Sequence, residues 1–275
     1  MIEKTIQGDE VPTPGLGTWQ LTGPQCREGV AHALDLGYRH IDTAQVYGNE
    51  EQVGQGLNDR RVDREDLFLT TKIWRSNVAP DDMRTSTEES LRKLDTDYLD
   101  LLLIHWPVEH VPLETQLDTL VELCREGKTR RVGVSNFLPE QIDRTVEFLP
   151  DDVPFFAHQA EYHPFLDQSP LLERARKHDH LFTAYSPLAR GRATEDDTLQ
   201  EIGTHHGKSA AQVALRWLLQ QERVVPIPKA ASPEHREANI DVFDFELSAE
   251  EMDAISSLRE DHRILDPGFA PDWTY

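Results

Sequence analysis

The sequence predicts a single (β/α)8 barrel spanning residues 1–275, preceded by a small β-hairpin. Three observations lead there. Eight short β-rich runs recur along the chain and alternate with stretches of helical periodicity. The length of 275 residues suits one large α/β domain. No segment rich in Gly, Ser or Pro divides the chain.

The elements follow in order. Ile2 to Val11 alternates weakly around Gly8-Asp9 and reads as the hairpin. The predicted barrel strands are Gly15–Thr18, Arg39–Asp42, Leu67–Thr71, Leu99–His105, Arg131–Ser135, Phe155–Gln159, Leu181–Ser186 and Val224–Ile227. Helical stretches fall around Gln25–Leu36, Glu50–Asn58, Asp81–Leu94, Leu113–Glu126, Pro139–Phe148, Ser169–His178 and Ser209–Gln221. In the fourth of these, Leu113, Leu117, Leu120, Val121 and Cys124 recur at helical spacing. Ser209 with Gln212, and Ser248 with Glu251, have the spacing of capping boxes that start helices. A doubly wound dinucleotide fold would need a G-x-G-x-x-G loop after its first strand. Gly15-Leu16-Gly17 runs into Thr18-Trp19-Gln20 with no third glycine, so the barrel is the better reading.

Composition narrows the function. Hydrophobic residues make up 38% of the chain, but they are clustered, which describes a folded core under a charged surface. Acidic residues outnumber basic ones 50 to 28, for a net charge of −22. Such a field repels phosphate backbones, so no nucleic-acid partner is expected. It fits adaptation to concentrated salt, where the Debye length falls to about 3 Å and self-repulsion is screened. Structure and activity are therefore expected to weaken in dilute buffer. Cys26 and Cys124 are too few for a disulfide framework or a thiolate metal cluster and read as packing residues. No signal peptide is read at Met1-Ile2-Glu3-Lys4, and no apolar run reaches membrane-spanning length. The expected location is the cytoplasm, without a membrane partner.

Three predicted strands end in a residue that can ionise or donate a proton: Asp42, Lys72 and His105. Tyr47 follows just after the first. In a parallel barrel, strand ends converge on one face, so these four can share a pocket. A phenol is a weak acid, its ordinary pKa lying near 10. An ammonium beside it favours the phenolate and eases proton donation. Lys72 can supply that ammonium, Asp42 can hold it charged, and His105 can orient a substrate oxygen. The set suits protonating an oxygen while hydride reaches its carbon. Taken singly, each residue has a plain structural reading, such as an ion pair, a buried histidine or a loop anchor. Their joint placement after successive strands favours chemistry.

Several ordered motifs resemble those of the aldo-keto reductases, in particular the small prokaryotic branch that includes diketogluconate reductases. They are Gly15-Leu16-Gly17-Thr18-Trp19, Asp42 to Glu50, Thr71-Lys72-Ile73-Trp74, Leu101 to Pro107, Gly133-Val134-Ser135-Asn136-Phe137, Tyr185-Ser186-Pro187-Leu188 and Ile227-Pro228-Lys229. The resemblance spans nearly the whole chain. It implies NADPH or NADH as cofactor, a small carbonyl compound as substrate, no metal, a monomer, and Asp42, Tyr47, Lys72 and His105 as the catalytic set. It further implies that Ser135, Asn136 and Gln159 hold the nicotinamide carboxamide. Tyr185 would stack on the ring, Ser186 and Leu188 would line the pyrophosphate path, and Trp19, Trp74 and Trp106 would wall the substrate pocket. Glu161-Tyr162-His163-Pro164 also matches, and His163 there reads as a loop packing residue.

One segment departs from the family pattern. Members that prefer NADPH usually follow the lysine at Lys229 with Ser, place Arg three and six residues after it, and set Glu before the asparagine at Asn239. Here those positions hold Ala230, Ser232, His235 and Ala238. Lysine and histidine do not reproduce bidentate arginine contacts to phosphate. Ser232-Pro233 can still open a helix whose N-terminus attracts an anion. Relaxed cofactor choice is the expectation, with Lys229, His235 and Asn239 as the remaining contacts. Two rival readings are weaker. A metal-dependent barrel hydrolase would draw on His40, His105, His158 and His163, but none of these four belongs to a His-x-His pair. A regulatory cofactor-binding protein of the same fold would not need all four catalytic residues. At the short C-terminal tail, Asp266 to Tyr275, Phe269 and Trp273 either fold over the site or pack on the barrel.

Overall fold

A computed structural model describes residues 2–60 and 62–274. The expected hairpin is β1 (Ile2–Ile6) and β2 (Asp9–Thr13), antiparallel with Ile6 opposite Asp9. The two-residue turn between them places Gln7 at φ 52° and Gly8 at φ 88°. Positive φ at both central positions matches the twist of the flanking strands.

The barrel strands follow as β3 (Leu16–Gly17), β4 (His40–Asp42), β5 (Phe68–Ile73), β6 (Leu101–Ile104), β7 (Val132–Ser135), β8 (Phe155–Glu161), β9 (Leu181–Tyr185) and β10 (Val224–Pro226). All seven neighbouring pairings are parallel and in sequence order. The sheet closes on itself where Gly15 N–H donates to Pro226 O at 3.0 Å and Gly17 N–H to Pro228 O at 3.2 Å. Gly17 is required there, because a Cβ would sit 2.7 Å from the Ile227 carbonyl oxygen. Strands buried on both faces read as near-continuous apolar runs, and every residue of β5 and β8 is buried.

The helices are α1 (Gly23–Asp35), α2 (Glu50–Asn58), α3 (Pro80–Leu94), α4 (Leu113–Arg125), α5 (Pro139–Phe148), α6 (Ser169–Lys177), α7 (Arg192–Glu195), α8 (Asp197–His206), α9 (Ala210–Gln220), α10 (Pro233–Ile240) and α11 (Ala249–Ser256). Helix α3 shows why such stretches fold. Proline opens it, Asp81 and Asp82 face its positive end, Arg92 and Lys93 its negative end, and left-handed Asp95 stops it at φ 53°. Both predicted capping boxes form, at Ser209 and Ser248. Helix α8 was not anticipated. Its start lies in the acidic run Glu195-Asp196-Asp197, which resembles a surface loop, yet Asp196 caps it by accepting from Leu199 N–H at 3.0 Å. Its apolar face is thin, with only Leu199, Ile202 and Gly203 buried.

The main core lies between strands and helices, and Cys26 is packed into it. A second core fills the barrel floor: Ile6 and Val11 of the hairpin meet Phe68, Leu101, Phe156 and Val225. The hairpin is thus a plug for the end opposite the site. Among the described residues, no helix is long and apolar enough to cross a membrane.

Three buried histidines make the fold sensitive to acid. Burial pulls His40 and His180 down to about 4, and holds His158 well below the ordinary range. In the unfolded chain they protonate near 6.5. Between those limits the unfolded state binds more protons, so stability is full above about pH 6.5 and falls as pH drops toward 4. His40 and His180 can each contribute up to roughly 3 kcal/mol. Urea midpoints should therefore fall between pH 7 and 4.5, and less steeply in His180→Phe. A flat midpoint across that range would contradict this.

Candidate active site

The C-terminal rim of the barrel gathers the polar strand ends. Asp42 ends β4 and Lys72 lies within β5, which continues past the predicted end at Thr71 to Ile73. Lys72 is fully buried and Asp42 is 2% exposed. The Lys72 ammonium donates to Asp42 Oδ1 at 2.5 Å and to the Thr43 carbonyl at 2.7 Å. Gln159 Nε2 donates to the other carboxylate oxygen at 2.8 Å. Burial pulls the Lys72 ammonium below its ordinary pKa, and Asp42 opposes that shift.

Tyr47 sits in a single turn after β4, with the Lys72 ammonium 5.1 Å from its ring centre and the His105 ring 5.9 Å away, edge to face. The expectation that Lys72 lowers the phenol's pKa meets a stronger opposing balance. Burial first, and then the Asp42 charge, hold it well above 10. His105 follows β6. Burial, then Lys72, keep its imidazole neutral, far below its ordinary range. Among the described residues its Nδ1 has no hydrogen-bond partner, although it is buried. A phenol and a neutral imidazole, both able to donate a hydrogen bond, thus face the same space.

A second cluster lies beside the first. Asn136, in left-handed conformation at φ 64°, donates to the His105 carbonyl and to Ser135 Oγ, both at 3.0 Å. Its Oδ1 accepts from Tyr185 OH at 2.8 Å. The ends of β6, β7 and β9 are tied together by one amide. The loop after β9 has Ser186, Ala189, Arg190 and Gly191 at positive φ. Leu188 at φ −104° and ψ 13° precedes Ala189 at φ 48°, a succession of negative and positive φ that suits an anion-binding concavity. Leu188 also packs on the core.

Lys229 and His235 are exposed, and Asn239 is buried on α10. Ser232 caps that helix by accepting from His235 N–H at 3.2 Å. Arg236, the nearest guanidinium in sequence, is buried and donates to the Ala230 and Ala231 carbonyls at 3.0 Å each. It cannot turn outward to serve as a phosphate clamp without giving up both bonds.

The three tryptophans differ. Trp74 packs edge-on 5.3 Å from His105, and buried Trp106 stacks on His105 at 6.5 Å. Trp19 is 38% exposed on the rim, 5.3 Å from the Arg190 guanidinium. The tail folds over the site: Phe269 lies 5.9 Å from Trp74 and 5.4 Å from Trp106, and Trp273 lies 6.2 Å from Trp106. Tyr275 is outside the described residues. Among the described residues, no group of three or more His, Cys, Asp or Glu is arranged to hold a metal ion.

The family model for the aldo/keto reductase family matches residues 15–260. The chain belongs to that family. As an aldo/keto reductase it is 41% identical over 263 residues to the glyoxal reductase of Bacillus subtilis, covering 95% of this chain and 94% of that one. A crystal structure provisionally described as 2,5-diketo-D-gluconic acid reductase B superposes with a TM-score of 0.96 at 41% identity, covering 100% and 98% of the two chains. An aldo-keto reductase of Bombyx mori, solved in complex with NADP, superposes with a TM-score of 0.88 at 34% identity, covering 97% and 95%.

Sequence reasoning missed the residues that hold the reductase site together. Asn49 donates to the Thr18 and Leu21 carbonyls and accepts from Thr43 Oγ1. Gln45 accepts from Trp74 N–H at 2.9 Å. Both lie inside the Asp42 to Glu50 motif, and a polar residue before a helix was the available signal.

Proposed function

We propose that the chain reduces aldehydes and ketones to alcohols using NAD(P)H, with Tyr47 as proton donor. The observation that carries this is the convergence of Tyr47 and His105 over the buried Lys72–Asp42 pair. The bound nicotinamide supplies the hydride. Tyr47 keeps its proton until charge builds on the substrate oxygen, because burial opposes early ionisation. The Lys72 ammonium stabilises the phenolate left behind, and Asp42 keeps that ammonium charged. Neutral His105 donates a hydrogen bond to the same oxygen and orients it. Trp74 and Trp106 exclude water on either side, with Trp19 at the rim.

Ser135, Asn136 and Gln159 form an amide-and-hydroxyl set suited to a carboxamide, and Tyr185 presents its ring beside them. Ser186 and the Leu188-Ala189 concavity suit a pyrophosphate. Small aldehydes and dicarbonyls are the proposed substrates, in line with the named activities of the relatives. We read the chain as one domain, 1–275, acting as a monomer in the cytoplasm and tolerant of concentrated salt.

Cofactor choice should be relaxed. Arg236 is committed to backbone carbonyls, and Glu234 places a carboxylate in the first turn of α10. In this segment Lys229, His235 and Asn239 remain to meet a ribose phosphate, and none of them is a guanidinium. Rates of NADPH and NADH oxidation with an aromatic aldehyde and with a dicarbonyl test both points. Turnover with both cofactors is expected. A preference for NADPH above about a thousandfold, roughly 4 kcal/mol, would refute the weakened clamp. Absence of turnover with either would refute the reductase.

A further inference from the structure

The buried pair Glu161 and His163 takes no part in the chemistry above, yet it is built with care. Glu161 ends β8, and both side chains are fully buried. His163 Nδ1 accepts from Phe165 N–H at 3.3 Å, which leaves Nε2 to carry the proton and donate to Glu161 Oε1 at 3.0 Å. The same carboxylate reaches the tail. Oε1 accepts from Ile264 N–H at 2.7 Å, and Oε2 from Leu265 N–H at 2.8 Å. Burial alone would push this carboxyl up, but the bonds from His163, Ile264 and Leu265 outweigh it and hold the group below its usual range.

Beyond Leu265, the hydrogen bonds of 266–274 among the described residues stay within the tail, such as Trp273 Nε1 to Asp266 and Ala270 N–H to Pro267 O. Contact with the barrel there is aromatic and cationic. Phe269 lies against Trp74 and Trp106 under the Arg75 guanidinium, and Trp273 against Trp106 under Arg263. Such contacts have little directional preference compared with a charge-assisted hydrogen bond. Upstream, the Glu260 and His262 N–H groups donate to the Phe165 carbonyl at 3.2 and 3.0 Å, and the Glu161 carboxylate takes the last hydrogen bonds from the tail to the barrel before Phe269.

We propose that Glu161, oriented by His163, is a positioning residue that sets the outer wall of the substrate pocket by clamping the tail at Ile264–Leu265. It does not touch the reacting atoms. Its effect reaches substrate through Phe269 and Trp273. The proposal rests on the reductase reading for its functional half and on geometry alone for the clamp.

Glu161→Gln puts an NH2 group against donors that now face carboxylate oxygens, so at least one tail N–H loses its acceptor. Hydrogen–deuterium exchange in 260–274 should accelerate. KM for a bulky aromatic aldehyde should rise about tenfold, the scale of one charge-assisted hydrogen bond lost. The kcat and the cofactor Kd should stay within about twofold, and a two-carbon dicarbonyl too small to reach Phe269 should be little affected. A second variant, ending the chain at Arg263, removes Phe269 and Trp273 together with the Ile264 and Leu265 amides, and its unfolding midpoint is measured beside wild type because Ile264 packs on the core. In that background Glu161→Gln should add no further rise in KM. Unchanged tail exchange in Glu161→Gln overturns the clamp. A freed tail with unchanged KM for bulky substrates, or an equal loss for every substrate and for cofactor, overturns the positioning role. If wild type turns over no carbonyl, the reductase reading and the pocket role fall together, while exchange still reports on the clamp.

Discussion

Replacing Tyr47 with Phe should lower kcat by about 10²–10⁴, the usual contribution of a positioned general acid, and leave cofactor binding unchanged. The ring stays, so its edge contact with His105 and its place over Lys72 are kept. What is lost is the proton. Because burial and Asp42 hold the phenol well above 10, wild type should reduce carbonyls at a steady rate across neutral pH and decline only in alkali. Alcohol oxidation needs the phenolate and should rise with pH instead. His105 is held neutral far below its ordinary range, so no break near pH 6.5 should come from it. Steady-state kcat of both proteins against pH, beside cofactor titration by fluorescence, reads all of this. A Tyr47→Phe enzyme within a few-fold of wild type would remove Tyr47 as donor.

These residues could be named before any coordinates because parallel strands deliver their ends to one place. An apolar run closing on Asp42 or His105 marks a rim position whatever lies between them. The same logic misjudged the end of β5. Lys72 looked like the first residue beyond a strand, but it lies inside one and faces a partner 30 residues earlier. A charged residue within a buried strand is costly unless paired, and the pairing is not visible locally. Glu161 was obscure for the same reason, since the amides that satisfy it lie 103 and 104 positions later. Arg236 is the converse case: a guanidinium in the segment proposed to meet a ribose phosphate is consumed by carbonyls of its own loop. The destination of the tail was left open because aromatic residues near a terminus pack on whatever apolar surface is close.

Lys72→Met should be the most damaging single change to stability. It removes the cation from Asp42, a carboxylate 2% exposed whose other partner is a neutral amide from Gln159. Breaking a buried pair from one side strands the remaining charge, at a loss of about 3–5 kcal/mol. For a chain of this size, at about 2 °C per kcal/mol, the thermal midpoint should fall by roughly 6–10 °C. Removing both charges separates pair energy from pair function. Asp42→Leu combined with Lys72→Met should lie closer to wild type in stability than Lys72→Met alone, because well-packed apolar groups replace ion pairs at little net loss. It should nonetheless be inactive, since the phenolate left at Tyr47 has no ammonium. Calorimetry and carbonyl turnover of the three proteins at pH 7.5 decide the matter. A Lys72→Met midpoint within a degree of wild type would mean that the pair is solvated in solution. An active double variant would mean that Tyr47 does not need it.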